Sequence, residues 1–212
     1  MTRSIEKIPK LRSRGRENRR KLLREAQRLM LAQQSKDSLR FSDVFEAAGV
    51  SRGSAYRIYD GIDDLFHDIV TEWIMNFVDF LRSSEPAERP QSWVDITDFV
   101  VRRGAEYWAA TADTLRILPR LRNRQPQSYR LAVQAMSQAL ADIFDRYFVM
   151  PDVPYWPHKL GFLTELCDLT FADAIRTEGR ISEQRIIEAA TIGRTYLEFY
   201  LPLDLPARQK AG

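Results

Sequence analysis

The sequence predicts an all-α fold of about nine helices: a small N-terminal group of three, then a larger helical body. Three observations carry this. Apolar residues return at three- and four-residue spacing along nearly the whole chain. No strand-like alternation bounded by hairpin turns interrupts them. Nine of the ten prolines lie outside the helical segments or at their edges, Pro119 being the exception.

Residues 1 to 15 combine Pro9, Gly15 and dense charge, and read as a flexible basic arm. From Arg16 onward Leu22, Leu23, Ala26, Leu29 and Met30 recur with helical spacing, so the first helix runs to about Gln34 with a mostly basic outer face. The polar break QSKDSLR leads to Phe41, Val44, Phe45 and Ala48, a helix of barely two turns that Gly49 closes as a left-handed stop. Ser51 is placed to cap a third helix that ends near Tyr59, where YDGIDD brings a turn and an acidic cluster suited to the start of the next. Ile62, Leu65, Phe66, Ile69, Trp73, Phe77 and Phe80 carry a fourth helix to about Leu81, where SSEPAERP breaks it. At about 1.5 Å per residue that helix is long enough to link two bodies.

Beyond Pro90 the helical pattern continues over about Trp93–Thr111, Thr114–Leu121 and Gln127–Phe148, with Pro119 expected to kink or stop the short middle piece. VMPDVPYWP is a loop. Two helices close the chain, about His158–Thr177 and Ser182–Tyr200, divided by EGRIS, where Gly179 ends one and Ser182 caps the other. The expected organisation is an arm (1–15), a small three-helix domain (16–61), a helical body (62–201) and a tail (202–212).

Composition narrows the function. No apolar run approaches the roughly 18 residues of a spanning helix, and the basic N-terminus lacks the apolar stretch of a signal peptide, so a cytoplasmic protein is expected. Cys167 is alone, and the two histidines, His67 and His158, stand far apart, so neither a disulfide nor a metal centre is expected. There is no glycine-rich phosphate loop and no nucleophile elbow. An enzyme would rest on carboxylates such as Glu106 or Asp168, which have no spacing to recommend them, and no cofactor is expected.

The net charge of +3 is unevenly distributed: residues 1 to 60 hold 15 Lys or Arg against 7 Asp or Glu, and the remainder 17 against 22. A basic front on a mildly acidic body fits a nucleic-acid surface; a solvated basic tail is the plainer account of the same asymmetry. The stretch SDVFEAAGVSRGSAY favours the first, with ordinary solvated charges at Arg52 and Arg57 as the plainer alternative. Two short helices joined by a glycine turn form a helix-turn-helix, whose second helix enters the major groove of DNA N-terminus first. There Arg52 offers a bidentate fork to guanine, Ser54 a hydroxyl to base or phosphate, and Gly53 the absence of a side chain where backbones approach. Tyr56 and Arg57, one turn later, reach phosphates, while Tyr59 belongs to the core.

With these residues in view, the chain resembles the TetR family of bacterial transcription regulators. RENRRKLLREAQRLM and FSDVFEAAGVSRGSAYRIYDGIDDLF, within about residues 16 to 81, match a family pattern near IAxxAGVSxGTLYxHFxSKExL. The resemblance implies an all-helical homodimer with an N-terminal helix-turn-helix DNA-binding domain and a C-terminal ligand-binding and dimerisation domain. Arg40, Ser42 and Ser51, around the starts of the two short helices, complete the candidate DNA-binding set. Several positions depart from the pattern. Phe45 stands where alanine is usual and Ala55 where leucine is, a size exchange that would keep the volume of a small core. Ile58 and Ile62 replace a histidine and a lysine that commonly bind phosphate, and Arg40 replaces a capping threonine.

In the body, Phe99, Arg103, Tyr107 and Trp108 mix bulk with polar tips, although aromatic-rich helices are commonly core. The resemblance implies a cavity among the fifth to eighth helices, and Met136, Leu140, Phe144, Phe162 and Leu166 are the expected opposite wall. Its ligand would be a small apolar or aromatic effector. The last two helices are the expected dimer face. Their small residues Ala172, Ala174, Ala190 and Gly193 would allow close approach, and packing within one chain explains them equally. The reading that results is a ligand-responsive regulator, a repressor binding a palindromic operator as a dimer. The alternative is a protein-interaction module of the same fold with weak or no specific DNA binding.

Overall fold

The structure, a computed structural model, describes residues 13–32, 39–124 and 126–209. Among them are nine α-helices, α1 (Ser13–Ala32), α2 (Phe41–Ala47), α3 (Arg52–Ala55), α4 (Ile62–Ser83), α5 (Trp93–Ala110), α6 (Ala112–Arg124), α7 (Pro126–Tyr147), α8 (Trp156–Glu178) and α9 (Glu183–Glu198). The described residues contain no strand, only an isolated bridge between Phe148 and Ala207. The order and number of helices are those the sequence predicts, with local differences that have physical causes. Helix α1 begins at Ser13, so Gly15 sits in its first turn instead of in an arm; residues 1–12, the rest of the expected arm, and 33–34, the expected end of the first helix, lie outside the described residues. Helix α6 runs through Pro119 to Arg124, because a proline removes one backbone donor without forbidding helix on either side of it. Helix α8 starts at Trp156, two residues earlier than expected, since Pro157 is compatible with a first turn whose N–H groups have no partners within the helix.

The chain divides into two compact units, Met1–Ile69 and Val70–Gly212, eight residues later than the boundary expected from the turn before α4. The reason is apolar: Leu65, Phe66 and Ile69, from the first two turns of α4, are buried, so that end of the helix belongs to the core of the first unit. The rest of that core is Leu22, Leu23, Ala26 and Met30 from α1, Phe41, Val44 and Phe45 from α2, and Val50, Ala55 and Tyr59. The large Phe45 and small Ala55 are thus both interior, and the Phe45 ring meets Phe41 edge-on at 5.6 Å.

Polar chemistry fastens α1 to α4 in this unit. Arg19 of α1 grips Asp68 of α4 through two parallel bonds, Nε to Oδ2 and Nη2 to Oδ1, both 2.8 Å. The buried Tyr59 hydroxyl donates to the same carboxylate. Arg19 and Asp68 retain only 19% and 20% of their side-chain exposure, so water screens the pair weakly.

In the second unit α5 packs on α9, and α8 packs on both α7 and α9. Gly193 of α9 lies where three helices approach closely: a Cβ there would stand 3.1 Å from both Leu163 Cδ1 of α8 and Thr97 Cγ2 of α5. Ala174 and Ala190 are also buried, so these small residues are used inside the chain and are not available to a partner. Gly179 ends α8 in the left-handed conformation expected of it, at φ 72°. Ser182 begins α9 through its carbonyl, while its hydroxyl donates to Glu178 instead of capping. The tail past Leu201 is tied down: Val149 N–H donates to the Pro206 carbonyl and Arg208 N–H to that of Tyr147, each at 2.8 Å.

Two substitutions test the first unit. Gly49 holds φ +63°, and a Cβ there would meet nothing within 4 Å, so Gly49→Ala encounters backbone strain alone. Urea unfolding should show a loss of about 1 kcal/mol, and less for Gly49→Asn. Tyr59→Phe should lose about 1 kcal/mol and Asp68→Ala more, and the double variant should fall short of their sum because both delete one shared bond.

Candidate nucleic-acid interface and ligand cleft

The α2–α3 pair is built by backbone bonds around Gly49. The Asp43 carboxylate accepts the Arg40 N–H at 2.9 Å, which secures the start of α2 from inside the helix where the usual threonine is missing. Ala48 N–H returns to the Val44 carbonyl, and Val50 N–H to that of Phe45, each at 2.9 Å, so Gly49 can reverse the chain while Val50 drops into the core. The Ser51 carbonyl then accepts from Ser54 and Ala55 N–H. Its hydroxyl, expected to cap, donates to Ser54 Oγ at 2.9 Å. Helix α3 is a single α-helical turn, shorter than expected. Its carbonyl at Ala55 receives both Ile58 and Tyr59 N–H, which carries the chain as a turn into the core.

This geometry sorts the predicted DNA-binding residues. Ala55 and Tyr59 face inward; Arg40, Ser51, Arg52, Gly53, Tyr56 and Arg57 are exposed, and Ser42 and Ser54 are partly so. Tyr56 is 46% exposed, with its ring edge-on to Phe41 at 5.2 Å. The Arg52 guanidinium lies 5.7 Å from the centre of that ring. Arg57 folds back so that its Nε donates to the Gly53 carbonyl at 3.0 Å. Gly53 has nothing within 4 Å of a Cβ and no left-handed φ, so the chain itself does not require glycine there. Ile58 and Ile62 are half-buried and offer no charge to an anion.

Sequence reasoning did not find Arg19 or Asp68 as the support behind this surface. Asp68 is one of several acids around the start of α4, and nothing in its spacing points across to α1.

The second unit contains a cleft with about 370 Å³ of atom-free space, its mouth included. Phe77 and Leu81 line it from α4, Val100, Val101, Gly104 and Trp108 from α5, Leu140 from α7, and Leu163, Thr164, Cys167, Asp168 and Phe171 from α8. Trp108 Nε1 donates to Asp168 Oδ1 at 2.8 Å. Burial, with the Asp168 charge adding to it, pushes the Cys167 thiol up to about 12, so this sulfur stays protonated near neutrality.

Of the expected cavity residues, Trp108 and Leu140 line this cleft and the others do not. Phe99, Arg103 and Tyr107 each precede a lining residue by one position, and one residue turns a helix by about 100°. Arg103 instead lies 4.3 Å from the Phe80 ring centre and donates to Ser84 Oγ, and half-buried Tyr107 donates to the Trp73 carbonyl. Burial pushes the Tyr107 phenol up. Phe162 and Leu166 are out of phase in the same way: Phe162 is 47% exposed, its ring 5.4 Å from Tyr196. Met136 and Phe144, one turn either side of Leu140, are buried core, the Phe144 ring edge-on to Trp156 at 5.5 Å.

No group of three or more His, Cys, Asp or Glu among the described residues could hold a metal ion. No described helix is long and apolar enough to cross a membrane.

No protein-family model matches the sequence, and no curated protein matches it. Solved structures do resemble the fold. A TetR-family transcriptional regulator from Streptomyces coelicolor superposes with a TM-score of 0.66 at 18% identity, covering 87% of this chain and 99% of that one. The fatty acid degradation regulator FadR from Bacillus halodurans gives 0.60 at 13% identity, over 89% and 97% of the two chains. A transcriptional regulator from Rhodococcus sp. Rha1 gives 0.60 at 14%, over 89% and 99%. At such identities the likeness is one of architecture: this chain has the all-helical fold of the TetR-family transcriptional regulators.

Proposed function

We propose that the protein is a ligand-responsive transcriptional regulator of the TetR type, a repressor that binds a near-palindromic operator as a homodimer in the cytoplasm. The observation that carries this reading is the outward face of α3 and its turn. Arg52, Gly53, Tyr56 and Arg57 are presented to solvent by a helix-turn-helix whose inward residues are all apolar or tyrosine. An unforced glycine between two outward arginines suits a helix that lies against another molecule's backbone.

The dimer rests on α8 and α9, on residues other than the small ones. Phe162 and Leu169 of α8 and Ile187 of α9 are 47%, 69% and 46% exposed, large apolar side chains that a second copy would cover. A two-fold pair sets two recognition helices against half-sites about 34 Å apart, or a multiple of that. The cleft is the effector site. Helix α4 supplies Asp68 to the first unit's clamp and Phe77 and Leu81 to the cleft, and it is the proposed route of coupling. An effector releases DNA only if it binds the non-operator shape more tightly.

Fragments selected from random DNA should contain inverted repeats. Arg52→Ala should weaken binding to them by about 1 to 3 kcal/mol, roughly 5- to 150-fold, and relax the sequence preference. Arg57→Ala should weaken all sequences alike and lower the log–log salt slope by about one. Equal affinity of Arg52→Ala and the parent for selected and scrambled DNA would overturn the reading. In sedimentation, Leu169→Glu with Ile187→Glu should yield monomers that retain the fold and lose the operator.

A further inference from the structure

We infer that the α3 surface fixes a single base in each half-site, a guanine facing Arg52, and that Ser54 excludes cytosine without choosing among the other three bases. The inference deepens the regulator reading above and rests on it.

Its ground is the inventory of groups that α3 and its turn present. In the major groove guanine shows two acceptors, which match the fork of an arginine. Adenine shows an acceptor beside a donor and is matched by a side-chain amide, whereas cytosine shows a donor and is matched by a carboxylate. Residues 51 to 58, SRGSAYRI, contain no Asn, Gln, Asp or Glu. The side-chain types that single out adenine or cytosine are thus missing from this surface, and two arginines remain.

The two arginines are not equivalent. Arg57 is committed to its own turn: Nε donates to the Gly53 carbonyl at 3.0 Å and Nη2 to Ser54 Oγ at 3.4 Å. Turning its fork onto a base would break both bonds, and the hydrogens left over suit a phosphate oxygen. Arg52 is exposed and makes no hydrogen bond to any other residue, so its whole fork is available. Its guanidinium lies 5.7 Å from the centre of the Tyr56 ring, which Phe41 and Phe45 hold edge-on at 5.2 and 6.2 Å. The fork is therefore steadied by a ring anchored in the core of the first unit.

Ser54 Oγ accepts from Ser51 Oγ at 2.9 Å as well as from Arg57. A hydroxyl has two lone pairs and one hydrogen, so what Ser54 retains for DNA is a single donor. That donor can meet N7 or O6 of guanine, N7 of adenine or O4 of thymine, and finds no acceptor on the major-groove edge of cytosine. The Tyr56 hydroxyl can donate or accept through one atom and distinguishes no base.

Modified bases test this with the full-length protein. Half-sites selected from random DNA should share one fixed guanine. In anisotropy titrations, changing that base pair to adenine–thymine should weaken binding about 5- to 150-fold. 7-Deazaguanine, which lacks the N7 acceptor, should weaken it about tenfold. Inosine keeps N7 and O6 and lacks only the minor-groove amino group, so it should bind like guanine. Arg52→Ala should bind guanine and 7-deazaguanine equally, with an unfolding midpoint like the parent's because the side chain is exposed; Arg52→Lys should keep the guanine preference. The inference is overturned, and a DNA-binding regulator remains, if the selected half-sites lack a fixed guanine or if the 7-deazaguanine penalty survives Arg52→Ala. A second fixed base whose preference disappears in Ser54→Ala or Arg57→Ala would overturn it equally. If no sequence is enriched at all, the regulator reading falls, and this inference with it.

Discussion

Helix α3 spans Arg52–Ala55, one turn, far below the length at which a helix persists through its own hydrogen bonds. What holds it lies on either side. Before it, the left-handed Gly49 and the buried Val50 fix where the chain re-enters the core. After it, Tyr59 is buried, and its hydroxyl ends on Asp68, which Arg19 grips from α1. A carboxylate shared by three segments of the chain converts a marginal turn into a fixed one, because displacing any of the three strands the polar groups of the others in a poorly hydrated place. The direction in which Arg52 and Tyr56 point depends on that clamp.

Given the clamp, the outer surface of α3 follows from helical phase. Ala55 and Tyr59, four apart, point inward; Arg52, Gly53, Tyr56 and Arg57 take the remaining directions. Tyr56 works on both sides of this division. Its ring closes the aromatic group of Phe41 and Phe45 while remaining half exposed, which stiffens the side chain before it meets anything. Arg57, bonded to the Gly53 carbonyl, is similarly preset on the surface. Side chains ordered in advance lose less entropy on binding, which in the proposed DNA complex would offset part of the phosphate affinity that Ile58 and Ile62 cannot supply.

The helices were legible in the sequence because their periodicity is strong, and so was the helix-turn-helix, whose signal is local: a glycine stop, a serine start and an apolar pair within a short stretch. Legibility ended where phase or distance decided the matter. Phe99, Arg103 and Tyr107 lie on the right helix but one position away from Val100, Gly104 and Trp108, which line the cleft, and an aromatic-rich helix gives no internal mark of which face meets a void. Phe162 was expected to line the cleft, yet Leu163 does so, for the same reason. The Arg19–Asp68 grip spans 49 residues, and no short-range pattern encodes it. Pro119 does not stop α6, which runs on to Arg124.

The placement of Phe162 gives helix α8 two faces with separate chemistry. Leu163, Thr164, Cys167, Asp168 and Phe171 turn toward the cleft, whereas Phe162 and Leu169 lie open on the other side. Across the cleft, the bond from Trp108 to Asp168 ties α8 to α5, and α8 also packs along α7 and α9. A molecule that fills the space must therefore alter the balance of forces on a helix whose opposite face is the proposed meeting surface of two subunits. Close-packed interiors transmit such displacement and do not absorb it.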